Sequence, residues 1–461
     1  MFPQRLATLV DASGVPMQVA RRFADRGIEV FLVGGSIRDA LLDRPVVEFD
    51  FATPAPPEEV HDTLAGWASS VVTIGQEFGT IGCRVDGSSV EVTTFRSERY
   101  RDDSRKPVVE FSNDLESDLS RRDFTVNALA LRLLPEPDMV DPHGGLVDLG
   151  AGVLRTPLDP EISFGDDPLR MLRLFRFVST IGFAPEEATL AAATAMVDRI
   201  EIVSAERVRE EFDRLICGPN AEAALWGLVE SGLAGYIVPE VAALGEEHDP
   251  LHRHKDVLAH TIAVVDKCPA EDRIVRLAAL FHDIGKPDTR VIEGRTVSFH
   301  HHEVVGARMT KARMREMRYS NEDIADVSAL VYLHMRPHTF KMGWSDRAVR
   351  RYVRDAGHLL DRLNILVRCD VTTANEKKAR QIQRGIDELE TRIADLRERE
   401  ELESIRPPLD GNQVMAYLDL PPGPLVGKAL DMLLEHRLDH GPFSEEEAYR
   451  LLDGWKVASS E

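Results

Sequence analysis

VFLVGGSIRDALLDRPVVEFDFAT, Val30 to Thr53, is the stretch whose reading decides the fold of the first third of the chain. VFLV is a short apolar run of the kind found in core strands, SIRDALLD has helical spacing, and VVEFDFAT alternates as a strand does. In such a strand Glu48 and Asp50 share one face while Phe49 and Phe51 anchor the other. Two carboxylates held together repel each other unless cations or hydrogen bonds compensate, and hard divalent cations do so well. Gly34 and Gly35 join the first strand to the helix. A turn lacking Cβ atoms that leads into a helix N-terminus is a natural cradle for phosphate, and Arg38 adds a cation. Ser36 is expected to cap the helix, with Asp39 completing a capping box. Phosphate and metal would then lie side by side.

Outward from this stretch, EVFLV, SVVTIG, TIGCRV and SVEVTTF read as further strands. After about Asp141 helical spacing takes over, which predicts an α+β chain with a mixed head and a long helical remainder. At 461 residues two to four domains are expected. The composition shifts place them at 1–140, 141–244, 245–375 and 376–461, the polar segment Gly245 to Asp256 marking the second boundary. A charged helix with Ile382, Ile386, Leu389, Ile393 and Leu396 on one stripe opens the last domain, and Pro407-Pro408 stops it. The net charge of −22 argues against a uniformly basic nucleic-acid surface but leaves room for a local basic cleft. Four scattered cysteines, no apolar run of membrane-spanning length and no basic-then-apolar N-terminus predict a cytoplasmic chain that does not enter a membrane. Nothing in the sequence assigns an oligomeric state.

GGSIRD followed by E-x-D resembles the first motif of the tRNA nucleotidyltransferase and bacterial poly(A) polymerase family, which has a polymerase-β-like catalytic head. Further matches follow in the family's order. They are VEVTTFR at Val90, DLSRRDFTVNALAL at Asp118, VDPHGGLVDL at Val140, FGDDPLRMLRLFRF at Phe164 and ERVREEF at Glu206. The resemblance implies that Glu48 and Asp50 are catalytic and hold two Mg²⁺ ions, with Glu91 a further acid on a neighbouring strand. It implies nucleotide binding by Gly34, Gly35, Arg38, Arg121, Arg122, Asp123, Asn127 and Arg173. Asp167 and Arg170 correspond to the pair that reads the incoming base, one accepting and one donating hydrogen bonds. Arg207 and Arg209 would bind RNA, as would Arg347, Arg350, Arg351 and Arg354. The segment Arg96 to Pro107 occupies the place of the family's flexible loop, associated with A addition, although DDSR departs from the usual D-G-R. Glu48 stands where the family usually has Asp.

LAHT, FHDIGKPD, FHHHEVVGA, YLHMRPH and RCDVTTAN form an ordered series of metal-ligand types. The series is similar to the HD phosphohydrolase superfamily, which implies a core set of His260, His282, Asp283 and Asp370. His302 and His334 would complete a second metal position. Imidazoles with carboxylates suit transition ions, or Mg²⁺ where oxygen ligands dominate.

The resemblance thus implies addition of CCA to the tRNA 3′ end from CTP and ATP, beside a possible phosphohydrolase activity. Poly(A), A-only and CC-only addition are the nearest alternatives. An HD phosphohydrolase with an impaired head is the alternative of a different class.

Overall fold

The protein is described by a computed structural model covering residues 4–73, 79–99, 108–111, 114–246, 257–293, 296–337, 344–371, 376–400 and 405–458. It divides into two compact units, Met1–Ala242 with Glu316–Arg318, and Ala243–Arg315 with Tyr319–Glu461.

In the first unit α1 (Val15–Ala24) precedes β1 (Phe31–Val33), α2 (Gly35–Leu41), β2 (Glu48–Thr53) and α3 (Pro57–Leu64). Then come β3 (Ser70–Val72), β4 (Thr80–Val85), β5 (Ser88–Thr94), the ribbon β6 (Arg96–Arg99) and β7 (Val108–Phe111), and α4 (Leu115–Ser120). β8 (Ala130–Arg132), β9 (Asp138–Val140) and α5 (Gly145–Ala151) complete the head. Seven strands form one sheet in the order β3-β4-β5-β2-β1-β8-β9. β1 is buried along its whole length, as expected of a strand at the centre of a covered sheet. Phe49 and Phe51 sink into the larger core cluster with Leu32, Val90 and Val92, while Ala52 joins Val33 and Phe31 in a cluster on the other side. The alternation read from the sequence is therefore what turns both acids to one face.

The expected cap on α2 does not form. Gly34, at φ 71°, is the N-cap and the helix starts at Gly35, so Ser36 already lies in the first turn. Its hydroxyl donates instead to the Glu48 carbonyl across the gap to β2 (3.2 Å), and Asp39 pairs with Arg38. Residues 100–107 of the expected flexible loop, and 247–256 of the expected boundary segment, lie outside the described residues.

Helices follow the head: α6 (Pro160–Asp166), α7 (Leu169–Ile181), α8 (Glu187–Ala195), α9 (Ala205–Ile216), α10 (Ala221–Glu230), α11 (Ala234–Ile237) and α12 (Pro239–Ala242). A short parallel pair, β10 (Val153–Leu154) and β11 (Ala184–Pro185), braces α7. α7 packs on α9 and α10 through buried Leu172, Phe175, Phe212, Leu215, Leu225 and Leu228.

The second unit contains α13 (Val257–Lys267), α14 (Arg273–Phe281), the hairpin β12 (Arg290–Glu293) and β13 (Thr296–Phe299), α15 (His302–Glu316) and α16 (Asn321–Leu333). α17 (Asp346–Ala356), α18 (Leu360–Cys369), α19 (Glu376–Glu400), α20 (Gly411–Leu418), α21 (Pro424–His440) and α22 (Glu445–Ala458) follow. The hairpin is a small β element within a mostly helical region. α14 is the buried axis, with every residue from Ile274 to Phe281 inside, and even Arg276 is satisfied by the Cys268 carbonyl. On α19 the expected stripe holds, with Ile386, Leu389, Ile393 and Leu396 buried.

Arg350 corrects the expectation of an RNA-facing arginine. It is 5% exposed and donates to both Glu400 oxygens (2.8 and 3.0 Å), and Arg437 shares the same carboxylate. Arg347, Arg351 and Arg354 pair with Asp439 and Glu435 of α21. Among the described residues no helix is long and apolar enough to cross a membrane.

Candidate active site and metal centre

A cleft of about 310 Å³ opens on the acidic face of the head sheet, beside the Gly34-Gly35 turn. Glu48 and Asp50 lie on its wall, and so do Arg38, Arg122, Asn127 and Arg173. Gly34 suits this turn, chiefly through its backbone conformation. Its positive φ suits glycine, and a Cβ would stand 2.8 Å from an Arg122 guanidinium nitrogen. β2 runs parallel to β5, placing Asp50 opposite Glu91 in the ladder. Burial together with the charges of Glu91 and Glu48 pushes the Asp50 carboxyl up to about 6, against the opposing pull of Arg122 and Arg38. Three carboxylates on one face, two of which raise the cost of ionising Asp50, fit a site for a hard cation.

Cations from the helical elements surround the acids. Asp118 holds Arg121 (3.4 Å) and Arg122 (3.3 Å). Asp123 accepts from Arg173 (2.5 and 2.9 Å) and from the Asn127 amide (2.9 Å). Although burial opposes its charge, Arg173 and the Asn127 bond hold the Asp123 carboxyl well below the usual range. Asn127 in turn accepts from Arg38 (2.6 Å), so one chain of bonds runs from α7 to α2. Arg173 also reaches Glu211 of α9 (2.9 Å), as does Arg176 (2.7 Å). Arg176 lies 3.8 Å from the Phe177 ring centre, and burial, with the charge of Arg173, lowers it to about 10. Sequence reasoning gave no site role to Arg176, Glu211, Phe177 or Arg214, all but Glu211 on the cleft wall. The three-residue spacing of Arg170, Arg173 and Arg176 was the signal available.

Asp167 and Arg170 do not line the cleft; the Arg170 amide donates to the Asp167 carbonyl (3.0 Å), while their side chains bond other partners. Asp167 accepts from the Leu169 amide (3.2 Å) and from Arg207 (3.0 Å). Arg170 donates to the Ser163 hydroxyl (2.8 Å) and to the Arg121 carbonyl. Arg209 lies beside Glu210 at 3.7 Å.

In the second unit six ligand-type residues converge. His260 Nε2 lies 3.2 Å from His282 Nε2, 3.0 Å from Asp370 and 3.6 Å from Asp283. His302 Nε2 lies 3.3 Å from His334 Nε2 and 3.5 Å from the other Asp283 oxygen. Asp283 thus belongs to both triads, His260-His282-Asp283 and Asp283-His302-His334. Local structure aims the rings. His282 and His334 each follow the end of a helix, where the last carbonyls have no intrahelical partner. Their Nδ1 atoms bond the Ala279 and Val331 carbonyls (2.7 and 2.6 Å), and His302 Nδ1 bonds the Phe299 carbonyl (2.9 Å). With Nδ1 donating, each Nε2 presents a lone pair inward. Two lone pairs facing each other at 3.3 Å fit a shared cation.

Burial, with the neighbouring His282, lowers His334 to about 3, so its ring is neutral at ordinary pH. Burial resists charge on both partners of the His282–Asp283 pair, yet their mutual attraction raises His282 and lowers Asp283. Gly285 lets α15 approach, since a Cβ there would stand 2.2 Å from the His302 carbonyl. Lys286, which sequence reasoning passed over, bonds Asp283; its place three residues after the aspartate was the signal.

Comparison with known proteins finds family models along three stretches of the chain. The poly(A) polymerase head domain matches residues 30–155, the probable RNA and SrmB-binding site of polymerase A matches 182–244, and the HD domain matches 241–375. The A-adding tRNA nucleotidyltransferase of Deinococcus radiodurans is 32% identical over 439 residues, 92% of this chain and 95% of that one. The chain belongs to the tRNA nucleotidyltransferase family. Catalysis in this family depends on divalent metal. The CCA-adding enzyme of Geobacillus sp. is 39% identical over 220 residues, and that match spans about half of each protein, 48% of this chain and 53% of the relative. The crystal structure of the Bacillus stearothermophilus CCA-adding enzyme in complex with CTP superposes with a TM-score of 0.72 at 23% identity, covering 100% of this chain and 99% of that one. At that identity the likeness is one of fold.

Proposed function

We propose that this protein adds CCA to the 3′ end of tRNA from CTP and ATP, without a nucleic-acid template. The observation that carries the reading is the acidic face of Glu48 and Asp50 set beside the Gly34-Gly35 turn and Arg122 in one cleft. The tRNA 3′-hydroxyl oxygen attacks the α-phosphorus, the α–β bridging bond breaks, and pyrophosphate leaves. Gly34, Gly35, Arg38, Arg121 and Arg122 bind the triphosphate, while Asp123, Asn127 and Arg173 hold the sugar side of the nucleotide. Asp167 accepts from the amino group of cytosine or adenine, and Arg170 donates to the adjacent ring edge. Glu48 and Asp50 are the residues that hold two Mg²⁺, which supply charge neutralisation at the phosphate oxygens when bound. Arg209 contributes to tRNA phosphate binding.

His260, His282, Asp283 and Asp370, with His302 and His334, hold metal in the HD domain; when bound, such ions supply Lewis acidity toward a phosphate ester. Head 1–140, neck 141–244, HD domain 245–375 and C-terminal body 376–461 are the working division, and the cytoplasm, where tRNA is processed, is the place of action.

A second reading is favoured by one finding, the whole-length similarity to an A-adding enzyme. Incubation of the protein with tRNA lacking its 3′ end, and with tRNA ending in CC, separates the two when CTP and ATP are supplied singly and together. Sequenced products ending in CCA support the proposal. Addition of A to tRNA-CC with no C added moves the assignment to A addition, and unlimited A tails overturn both.

A further inference from the structure

Arg207, which the sequence assigned to RNA, is engaged elsewhere. Its guanidinium lies 3.0 Å from Asp167 Oδ2, while Asp167 Oδ1 takes the Leu169 amide at 3.2 Å. Both carboxylate oxygens are therefore tied to the protein, which fixes the rotation of the side chain. Arg207 sits in the first turn of α9, where its own amide bonds the Ser204 cap. A cation there works against the helix macrodipole, so its position is favourable only with a carboxylate opposite. α9 itself is registered on α7 by the Glu211 bonds to Arg173 and Arg176, so the height of Arg207 over Asp167 is set by the two helices together. Arg170, by contrast, is held by Ser163 and the Arg121 carbonyl.

We propose that Arg207 is a positioning residue for base selection, holding the Asp167 carboxylate so that it presents acceptors only, at a fixed angle, to the incoming base. The inference rests on the reading of Asp167 and Arg170 as the base-reading pair. Cytosine and adenine offer an amino group at that edge, whereas uracil and guanine offer a carbonyl oxygen that a fixed carboxylate cannot satisfy. An unanchored Asp167 can turn away, leaving a carbonyl-bearing base unopposed. Arg207 thus contributes to rejecting UTP more than to binding tRNA.

The test compares Arg207→Met and Arg207→Lys with the unmodified protein. The readouts are kcat/KM for CTP and for UTP on tRNA lacking CCA, and the tRNA dissociation constant at fixed salt. Arg207→Met is expected to lower the CTP-over-UTP preference about fivefold, the factor that ~1 kcal/mol from a half-exposed ion pair corresponds to. The tRNA dissociation constant should stay within twofold (~2) of the unmodified value, and Arg207→Lys should restore most of the preference. Preference kept in Arg207→Met while tRNA affinity falls overturns the inference and returns Arg207 to RNA contact. Equal losses in the Met and Lys variants also overturn it, since packing rather than charge would then be responsible. Asp167→Ala separates the levels. A preference that survives Asp167→Ala overturns the base-selection reading and this inference with it, whereas one lost in Asp167→Ala but kept in Arg207→Met overturns this inference alone.

Discussion

Asp50→Asn should abolish nucleotide addition and, in metal-free protein, stabilise the head. Native Asp50 keeps its proton up to about 6, against an ordinary value of 3.8, because burial and the charges of Glu91 and Glu48 disfavour the anion. Between those two values the native state binds more protons than the unfolded chain, so stability falls as pH rises and levels off above the native value. The gap of roughly two pH units corresponds to about 3 kcal/mol at 1.36 kcal/mol per unit. This is an upper figure, since Asp50 is only half-buried on an open cleft. Asparagine removes the charge at the same size. The gain should therefore approach its maximum near pH 8 (~8) and become small near pH 4 (~4), where native Asp50 is protonated. Hydrogen exchange at the buried amides of β1 and β2, with chelator present and variant and parent compared at each pH, reads this opening free energy locally. Mg²⁺ should then protect the parent and not the variant. A gain that is the same at both pH values, or larger in acid, refutes the reasoning.

Three further outcomes follow from the geometry. Gly285→Ala places a methyl 2.2 Å from the His302 carbonyl and 2.6 Å from the Gly306 amide; it should cost about 3 kcal/mol in denaturant unfolding of the second unit and weaken metal retention. Arg350→Ala leaves half-buried Glu400 with Arg437, so urea unfolding should show a loss of about 2 kcal/mol; a drop in tRNA affinity without that loss would restore the RNA-binding expectation. Asp283→Asn should empty both histidine triads, whereas His302→Ala should empty one, as measured by metal content after dialysis against Mn²⁺; equal losses in the two variants would rule out a shared aspartate.

The strands and the acidic face were legible because period-two alternation is local. Phe49 and Phe51 are buried, and Glu48 and Asp50 point the other way, as VVEFDFAT reads. The histidine series and its two metal positions were legible as chemistry, but the sharing of Asp283 by two triads was not. That division depends on helix ends whose free carbonyls orient His282 and His334, and on the glycine that admits α15. The capping box at Ser36 failed for a related reason. The helix begins where Gly34 turns, and that start left the hydroxyl a better partner across the sheet.

The sequence by itself determined which residue types stand at each motif and which face of each element they occupy, since both follow from spacing of a few residues. Tertiary structure alone decided the partners. Arg207 finds Asp167 forty positions away, and Arg350 finds Glu400 fifty positions away. Arginines of similar local context thus became the partner of a helix-start carboxylate in one case and a buried structural tie in the other. Local periodicity fixes the direction of a side chain, but which element comes to face it is set by the packing of the whole unit.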